Sequence, residues 1–379
     1  MRIGFYAPLK PPDHPAPSGD RRMARQLISA LEGIGHQVDV ISALRSYNRT
    51  GDPAQEIAIA EQGRVEIERL TVRWDKEPAA RPDLLFTYHV YHKAADYLGP
   101  ALKSRFGLPY VIAEPSIAPK RQHGSWAAGY AQAGAAIRAA DALLAITTLD
   151  RACLSAYAGA AKVQLLPPFL DPGPLASAAE KRDEHRRSIA ESLRLPQDRS
   201  WLLAVGMMRA GDKLASYNRL AEVLRLCTEP QSHLILVGDG PERARVEGAF
   251  EPVRARVTYT GQLDATALAG FYAASDLYVW PAVNEAYGMA LLEAQAASLP
   301  VLSVNTRGVP DIVRHGETGW LTEHDSAAAL AEALRHLLQS PELRADMSRA
   351  AKVHVARHLS MTAAQEKLAA VFVRLGLPA

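Results

Sequence analysis

Glu285 and Glu293 bracket the stretch Glu285-Ala-Tyr-Gly-Met-Ala-Leu-Leu-Glu293, which follows the apolar run Leu277-Tyr-Val-Trp-Pro281. The order is strand, carboxylate, glycine-containing turn, helix start and a second carboxylate within that helix. A helix N-terminus has unpaired backbone N–H groups and the positive end of a dipole, so a phosphate can rest there. Gly288 lacks a Cβ and lets the backbone approach such an anion. Carboxylates cannot hold phosphates, but they accept hydrogen bonds from neutral hydroxyls. The stretch therefore suits a molecule that is anionic in its middle and hydroxylated at both ends, the shape of a nucleotide-sugar. A Glu pair at this spacing arises easily by chance; its position across a strand-to-helix transition gives it meaning.

Three further loops carry candidate chemistry. Gly206-Met-Met-Arg209-Ala-Gly-Asp-Lys213 follows the run Leu202–Val205 and sets two cations on a turn beside a helix start. Such cations neutralise charge developing on a departing diphosphate, although most Lys and Arg are simply solvated. Pro8–Gly19 holds five prolines ahead of Asp20. Gly19 there either approaches a phosphate or closes a stiff connector capped by Ser18 or Asp20, and the residues leave both readings open. No GxGxxG fingerprint occurs in this loop, which counts against an NAD enzyme. Val237-Gly-Asp-Gly-Pro-Glu242 is a turn signature and reads as shape more than chemistry.

These loops need a scaffold, and the chain supplies one twice. Strand-like runs lie at Arg2–Ala7, Val38–Ser42, Leu84–Tyr88, Tyr110–Ala113, Ala142–Thr147 and Val163–Leu166. Helical patterns at Arg21–Gly33, Lys93–Phe106, Ala127–Ala140 and Leu149–Ala158 separate most of them. A second series follows at Leu202–Val205, His233–Val237, Val257–Thr260, Leu277–Trp280, Val301–Val304 and Trp320–Thr322, again alternating with helices. Short β-rich apolar runs alternating with helices predict buried parallel sheets in βαβ units. Pro167-Pro168 and Asp171-Pro-Gly-Pro174 should break regular structure between the series. Ala176–Leu193 reads as a charged helical segment after the linker. The expected division is 1–168, 169–358 and a terminal helix at 359–379 that packs back on the first domain.

Composition excludes several classes. The chain has 379 residues, 48% hydrophobic and 22% charged, with a formal charge of +2. That balance is ordinary for a globular enzyme and gives no reason to expect nucleic acid. A mild positive excess in residues 1–170 permits an anionic partner or a membrane surface without requiring one. Two cysteines are too few for a disulfide framework or a zinc site, which suits a reducing compartment. No signal-like start and no apolar run of spanning length is visible. The expectation is a cytoplasmic protein, with peripheral contact at the inner membrane face left open.

The series Val237-Gly-Asp-Gly-Pro-Glu242, Val257-Thr-Tyr-Thr-Gly261, Ala274-Ser-Asp-Leu277, Glu285…Gly288…Glu293-Ala-Gln-Ala296, Pro300-Val301 and Gly316-Glu-Thr-Gly-Trp-Leu321 resembles retaining glycosyltransferases of family 4. The first half matches more loosely, through Gly35-His-Gln-Val-Asp-Val40 and Pro167-Pro168. The resemblance implies an α/β protein of the GT-B fold, two doubly wound Rossmann-like domains facing a cleft. It implies that Glu293 holds the donor ribose and Glu285 the donor sugar. The amides of Tyr287, Gly288 and Met289 would face the sugar and its phosphate. Lys213 with Arg209 would bind the diphosphate, Gly19 would lie on the first-domain side of it, and Gln262 would mark the base. Three positions depart from the family pattern. Met207 stands where an Arg usually follows the glycine, Ser18-Gly19 replaces paired glycines, and Glu114 replaces a His. Glu114 and His89 are the expected acceptor or sugar contacts.

The reaction so implied is hexosyl transfer from a UDP- or GDP-linked donor to the hydroxyl of a carbohydrate, lipid-linked or small-molecule acceptor, with retention. No carboxylate pair for double displacement is evident in the first domain, which favours front-face attack. No metal and no other cofactor is expected, since His and Asp residues do not group. A phosphorylase, a sugar-nucleotide epimerase or a catalytically inactive sugar-binding relative of the same fold are the alternatives.

Overall fold

The structure is a computed structural model that describes residues 1–15, 18–228 and 231–379. The chain divides into two compact units, Met1–Pro167 with Ala364–Ala379, and Pro168–Ala363.

Unit 1 begins with β1 (Arg2–Tyr6), α1 (Gly19–Gly33), β2 (Gln37–Ser42) and α2 (Pro53–Lys76). It continues through β3 (Leu84–Tyr88), α3 (Gly99–Phe106), β4 (Tyr110–Ala113), α4 (Ala127–Ala139), β5 (Ala142–Ala145), α5 (Thr148–Ala158) and β6 (Val163–Leu165). The strands form one parallel sheet in the order β2-β1-β3-β4-β5-β6. β3, β4 and β5 are buried at every position, as strands covered on both faces must be. Tyr6, Trp74, Tyr110 and Leu143 lie in the core beside the sheet.

Two helical expectations need correction. The 24-residue α2 was not foreseen. Its buried Ile59, Gly63, Leu70 and Trp74 have helical spacing, but exposed Ile57, Val65 and Val72 blur the stripe. Conversely, the pattern at Lys93–Phe106 is helical only from Gly99. Asp96 accepts from the amides of Leu98 and Gly99, and this turn delays the helix.

Unit 2 opens with α6 (Gly173–Glu180) and α7 (Arg182–Leu193), so the expected single segment is two helices. Gly173-Pro174 starts α6 instead of breaking structure, because a proline in the first turn sacrifices no helical hydrogen bond. Then come β7 (Ser200–Val205), α8 (Asp212–Leu226), β8 (Ser232–Val237), α9 (Arg243–Phe250), β9 (Val257–Gly261), α10 (Ala265–Ala274), β10 (Leu277–Val279) and α11 (Met289–Ala296). β11 (Val301–Val304), α12 (Val309–Ile312), β12 (Gly319–Thr322), α13 (Ala327–Gln339) and α14 (Pro341–His354) complete it. The sheet is again parallel, in the order β12-β11-β10-β7-β8-β9.

The last helix, α15 (Met361–Arg374), starts in unit 2, where Met361 N–H donates to Leu170 O at 2.8 Å. From Ala364 onward the chain belongs to unit 1. There Phe372 meets His36 with ring centroids 5.4 Å apart.

Each sheet reverses its winding direction once, between β1 and β3 in unit 1 and between β7 and β10 in unit 2. In open parallel sheets, ligands bind beyond the carboxyl ends of the strands at such a switch point. The loops after β1, β3, β7 and β10 are therefore where chemistry is expected.

Candidate functional site

In unit 2 the switch-point loops bring Lys213 and Glu285 together. Lys213, in the first turn of α8, places Nζ 2.6 Å from Glu285 Oε2, with side-chain exposures of 21% and 17%. Trp280 Nε1 donates to the same oxygen at 3.2 Å, and Lys213 Nζ sits 5.1 Å from the Trp280 ring centre. Trp280 is itself fixed edge-on against buried Tyr217.

The turn carrying Glu285 is unusual in its backbone. Ala282 and Asn284 have φ of 54° and 52°, a left-handed conformation costly for residues with a Cβ. Asn284 is held from two sides, donating to Asp212 Oδ2 at 3.0 Å and accepting from Arg307 Nη1 at 2.6 Å. Ser216 Oγ, at 3.0 Å from the Val283 amide, pins the same turn to α8. The strain is thus borne by a network that orients Glu285.

Gly288 ends the turn at φ 80° and begins α11 with no side-chain cap. That φ strains any residue with a Cβ, which would also come 2.8 Å from Leu291 Cδ1, so the position favours glycine. Tyr287 and Met289 are half-buried on either side of it. Glu293, in the second turn of α11, is buried and accepts from the Tyr272 hydroxyl at 2.9 Å.

Arg209 is exposed and forms no ion pair among the described residues, whereas Lys213 has its counter-charge. The Gly238-Asp-Gly240 turn supports the Arg209 loop: Met208 N–H donates to Asp239 O, and Glu242 N–H to Met208 O, each at 2.9 Å. A Cβ on Gly238 would lie 2.0 Å from Gly206 O, so backbone packs directly on backbone. Gln262 is exposed just beyond β9.

In unit 1 the corresponding switch point gathers a different cluster. Asp20, in the first turn of α1, accepts at 3.1 Å from His89 Nδ1, and Glu114 Oε1 lies 3.8 Å from the same nitrogen. His89 and Glu114 follow β3 and β4 directly and both have positive φ, 62° and 54°. Burial would lower the pKa of His89, yet Glu114, Asp20 and Asp150 together hold it above its ordinary value. Burial raises Glu114, opposed by His89 and Tyr88. Asp20 is raised by burial and lowered further by its bond to His89, ending below the usual range. Among the described residues the ion-pair partner of Glu114 is His89, and it pairs with neither Lys120 nor Arg121.

Gly19 is the first residue of α1 and has open space where a Cβ would point. Ser18 caps the helix by accepting from the Arg21 amide at 3.2 Å. The Pro8–Gly19 loop is described except for Ala16 and Pro17. Arg21 Nη1 donates to His14 O and Arg25 Nε to Pro12 O, at 2.8 and 2.7 Å. Among the described residues no His, Cys, Asp and Glu side chains form a group of three or more suited to a metal ion, and no helix is long and apolar enough to cross a membrane.

Sequence reasoning did not single out Trp280, Tyr272, Asn284, Asp20 or Asp150. Trp280 stood inside a strand-like run and Asp20 beside a candidate glycine, but only the fold reveals what each side chain touches.

Comparison with known proteins agrees with this architecture. Residues 186–354 match the family described as glycosyl transferases group 1. An N-acetyl-alpha-D-glucosaminyl L-malate synthase from Bacillus anthracis is 32% identical over 35% of this chain and 34% of its own length. A D-inositol 3-phosphate glycosyltransferase from Streptomyces avermitilis is 30% identical over 72% of this chain and 62% of its own length. The matched stretches thus span less than two thirds of these curated relatives. Among solved structures, a sucrose-phosphate synthase from Thermosynechococcus elongatus superposes with a TM-score of 0.74, at 21% identity, over 99% of both chains. An Anabaena HepE protein in complex with UDP gives 0.75 at 15% identity, over 99% of this chain and 100% of that one. At such identities these likenesses speak for the fold, which is that of the GT-B glycosyltransferases. Taken together, the motifs, the two parallel sheets and the matched region show that residues 186–354 form a domain of the glycosyl transferases group 1 family.

Proposed function

We propose that this protein is a retaining glycosyltransferase that moves a sugar from a UDP- or GDP-linked donor to an acceptor hydroxyl. The observation that carries this reading is the Lys213–Glu285 pair at the unit 2 switch point, braced by Trp280 and followed by the uncapped α11. A cation and open amides suit a diphosphate, and the adjacent carboxylate suits sugar hydroxyls. Buried Glu293 suits the ribose, and exposed Gln262 lies where the base would extend. Arg209, which forms no ion pair among the described residues, joins Lys213 when the anion arrives. In unit 1, Asp20 beside Gly19 disfavours a phosphate resting directly on α1. Glu114 and His89 take the acceptor or the sugar.

The acceptor oxygen attacks the anomeric carbon as the bond from that carbon to the phosphate oxygen breaks. Attack comes from the face the diphosphate leaves, and the departing phosphate oxygen receives the acceptor's proton. The protein contributes orientation and neutralisation of the diphosphate by Lys213, Arg209 and helix amides, with no metal needed. The curated relatives named as a glucosaminyl malate synthase and an inositol 3-phosphate glycosyltransferase support sugar transfer, and the solved neighbour in complex with UDP supports a nucleotide-linked donor.

The test is a thermal-shift screen with UDP, GDP, ADP and their sugars, followed by proton NMR of the product formed with the stabilising donor. An anomeric proton with the donor's configuration is the expected result. Inverted product refutes retention, and an epimerised sugar formed without acceptor assigns the protein to the epimerase alternative.

A further inference from the structure

The loops that follow β3 and β4 in unit 1 build a second constellation, distinct from the His89 cluster and of opposite charge. Lys93 Nζ lies 4.9 Å and the Arg121 guanidinium carbon 4.5 Å from the centre of the Trp126 ring. His92 meets that ring edge-on, with ring centroids 5.7 Å apart. Lys120 stands next to Arg121 and is exposed. Among the described residues Lys93, Lys120 and Arg121 form no salt bridge.

Cation–π contact alone could account for two cations on a tryptophan. It does not account for the orphaned polar atoms. Trp126 Nε1, Arg121 Nε and His92 Nε2 are all buried and without a hydrogen-bond partner. Buried polar groups are ordinarily paired, and three failures within one cluster call for an absent partner. The local potential has the sign that partner needs. The pKa of His92 is lowered to about 4, by burial first and then by Arg121, Lys93 and Lys120.

The cluster is also held rigidly. A Cβ on Gly129 would come 2.2 Å from His92 O, and one on Gly51 would come 2.5 Å from Ser125 O. Backbones in tight contact therefore fix both loops at the carboxyl ends of their strands, where sheet ligands bind.

We propose that Lys93, Lys120, Arg121 and Trp126 form an oxyanion site that holds a phosphate, sulfate or carboxylate group of the acceptor. A chain of ring contacts, Trp126 to His92 to Tyr91 to His89, runs from this site to the carboxylates of Asp20 and Glu114. An acceptor bound along it presents its hydroxyls to the acidic cluster and its anionic group to the basic one. The assignment of this ligand as acceptor rests on the transferase reading; the anion site itself does not. The same chemistry is offered by a soluble oxyanion and by an anionic lipid headgroup.

The experiment titrates the full chain with inorganic phosphate, following tryptophan fluorescence, with Trp126→Phe to assign the signal. In parallel, the protein is sedimented with phosphatidylglycerol or phosphatidylcholine vesicles. Lys93→Gln/Arg121→Gln should weaken phosphate binding at least tenfold while melting at an unchanged temperature; if that variant is unfolded, exposed Lys120→Gln is the fallback and should weaken it several-fold. Loss of phosphate binding alone identifies a soluble oxyanion, and parallel loss of binding to the anionic vesicles identifies a headgroup. No saturable binding in either arm, or binding indifferent to these substitutions, overturns the site. Calorimetry with UDP and GDP keeps the two ideas apart: nucleotide binding without phosphate or vesicle binding refutes this inference and leaves the transferase reading intact.

Discussion

Replacing Lys213 separates two roles that the ion pair combines. Its Nζ is 2.6 Å from Glu285 Oε2, and both side chains are about one-fifth exposed, at 21% and 17%. Breaking an exposed pair costs about 1 kcal/mol or less, and stranding a buried charge costs about 3–5 kcal/mol. This half-buried pair should fall between, at about 1–3 kcal/mol, because Glu285 still accepts from Trp280 Nε1. For a unit the size of Pro168–Ala363 each kcal/mol shifts the melting temperature by roughly 2–4 °C. Lys213→Ala should therefore melt several degrees lower. Its effect on catalysis should be larger, since removing one preorganised charge from a developing anion costs about 2.7–4 kcal/mol, or 10²–10³ in kcat. The double variant Lys213→Ala/Glu285→Gln distinguishes the two roles. Neutralising the stranded carboxylate should restore most of the lost stability and none of the lost rate. The assay is kcat for donor turnover, measured well below every variant's melting point. Recovery of rate alongside stability would show that turnover needs neither charge and that the loss in Lys213→Ala came from the stranded carboxylate, and wild-type kcat in Lys213→Ala would remove Lys213 from the site.

Glu293→Ala should raise KM for the donor with little change in kcat, because ribose hydrogen bonds are made equally in ground and transition states; a kcat loss at saturating donor would contradict this. Activity should persist in EDTA if, as proposed, Lys213, Arg209 and the α11 amides neutralise the diphosphate; loss of activity restored by magnesium or manganese would refute that assignment. Glu114→Gln should cut transfer strongly and leave calorimetric affinity for the free nucleotide unchanged, because the nucleotide contacts are assigned to unit 2; unchanged transfer would return Glu114 to a structural role. His89 has a raised pKa in the fold and an ordinary value near 6.5 in the unfolded chain. Its contribution to stability should be full below about pH 6.5 and vanish as pH rises through the raised value. Denaturant melts of wild type and His89→Gln should converge at high pH, and a gap that widens with pH would reverse the sign.

Much of the fold was legible because buried parallel strands leave an unmistakable trace. Leu84–Tyr88 and Tyr110–Ala113 are continuous apolar or β-branched runs, and the structure buries every one of their residues. α2 was hidden because exposed Ile57, Val65 and Val72 fill in the polar face that would have announced an amphipathic helix. The carboxylates Glu285 and Glu293 were readable because a strand-to-helix transition constrains what lies around them. What sequence could not supply was strand order. The switch points between β1 and β3 and between β7 and β10 bring together residues far apart in the chain, His89 with Asp20 and Lys213 with Glu285. Neither contact has a local signature. Nor does the strained turn at Ala282 and Asn284, whose conformation is sustained by Asp212, Ser216 and Arg307 from other elements.

The central claim is that the unit 2 switch point holds a nucleoside diphosphate through Lys213 and a ribose through Glu293. Calorimetric titration in EDTA, comparing UDP or GDP with the matching monophosphate and nucleoside, tests it most directly when repeated on Lys213→Ala and Glu293→Ala. The account predicts that the diphosphate binds best, that Lys213→Ala erases its advantage over the monophosphate, and that Glu293→Ala weakens diphosphate and monophosphate by the same factor. Equal affinity for diphosphate and monophosphate in the wild type, or a diphosphate advantage that survives Lys213→Ala, would contradict it.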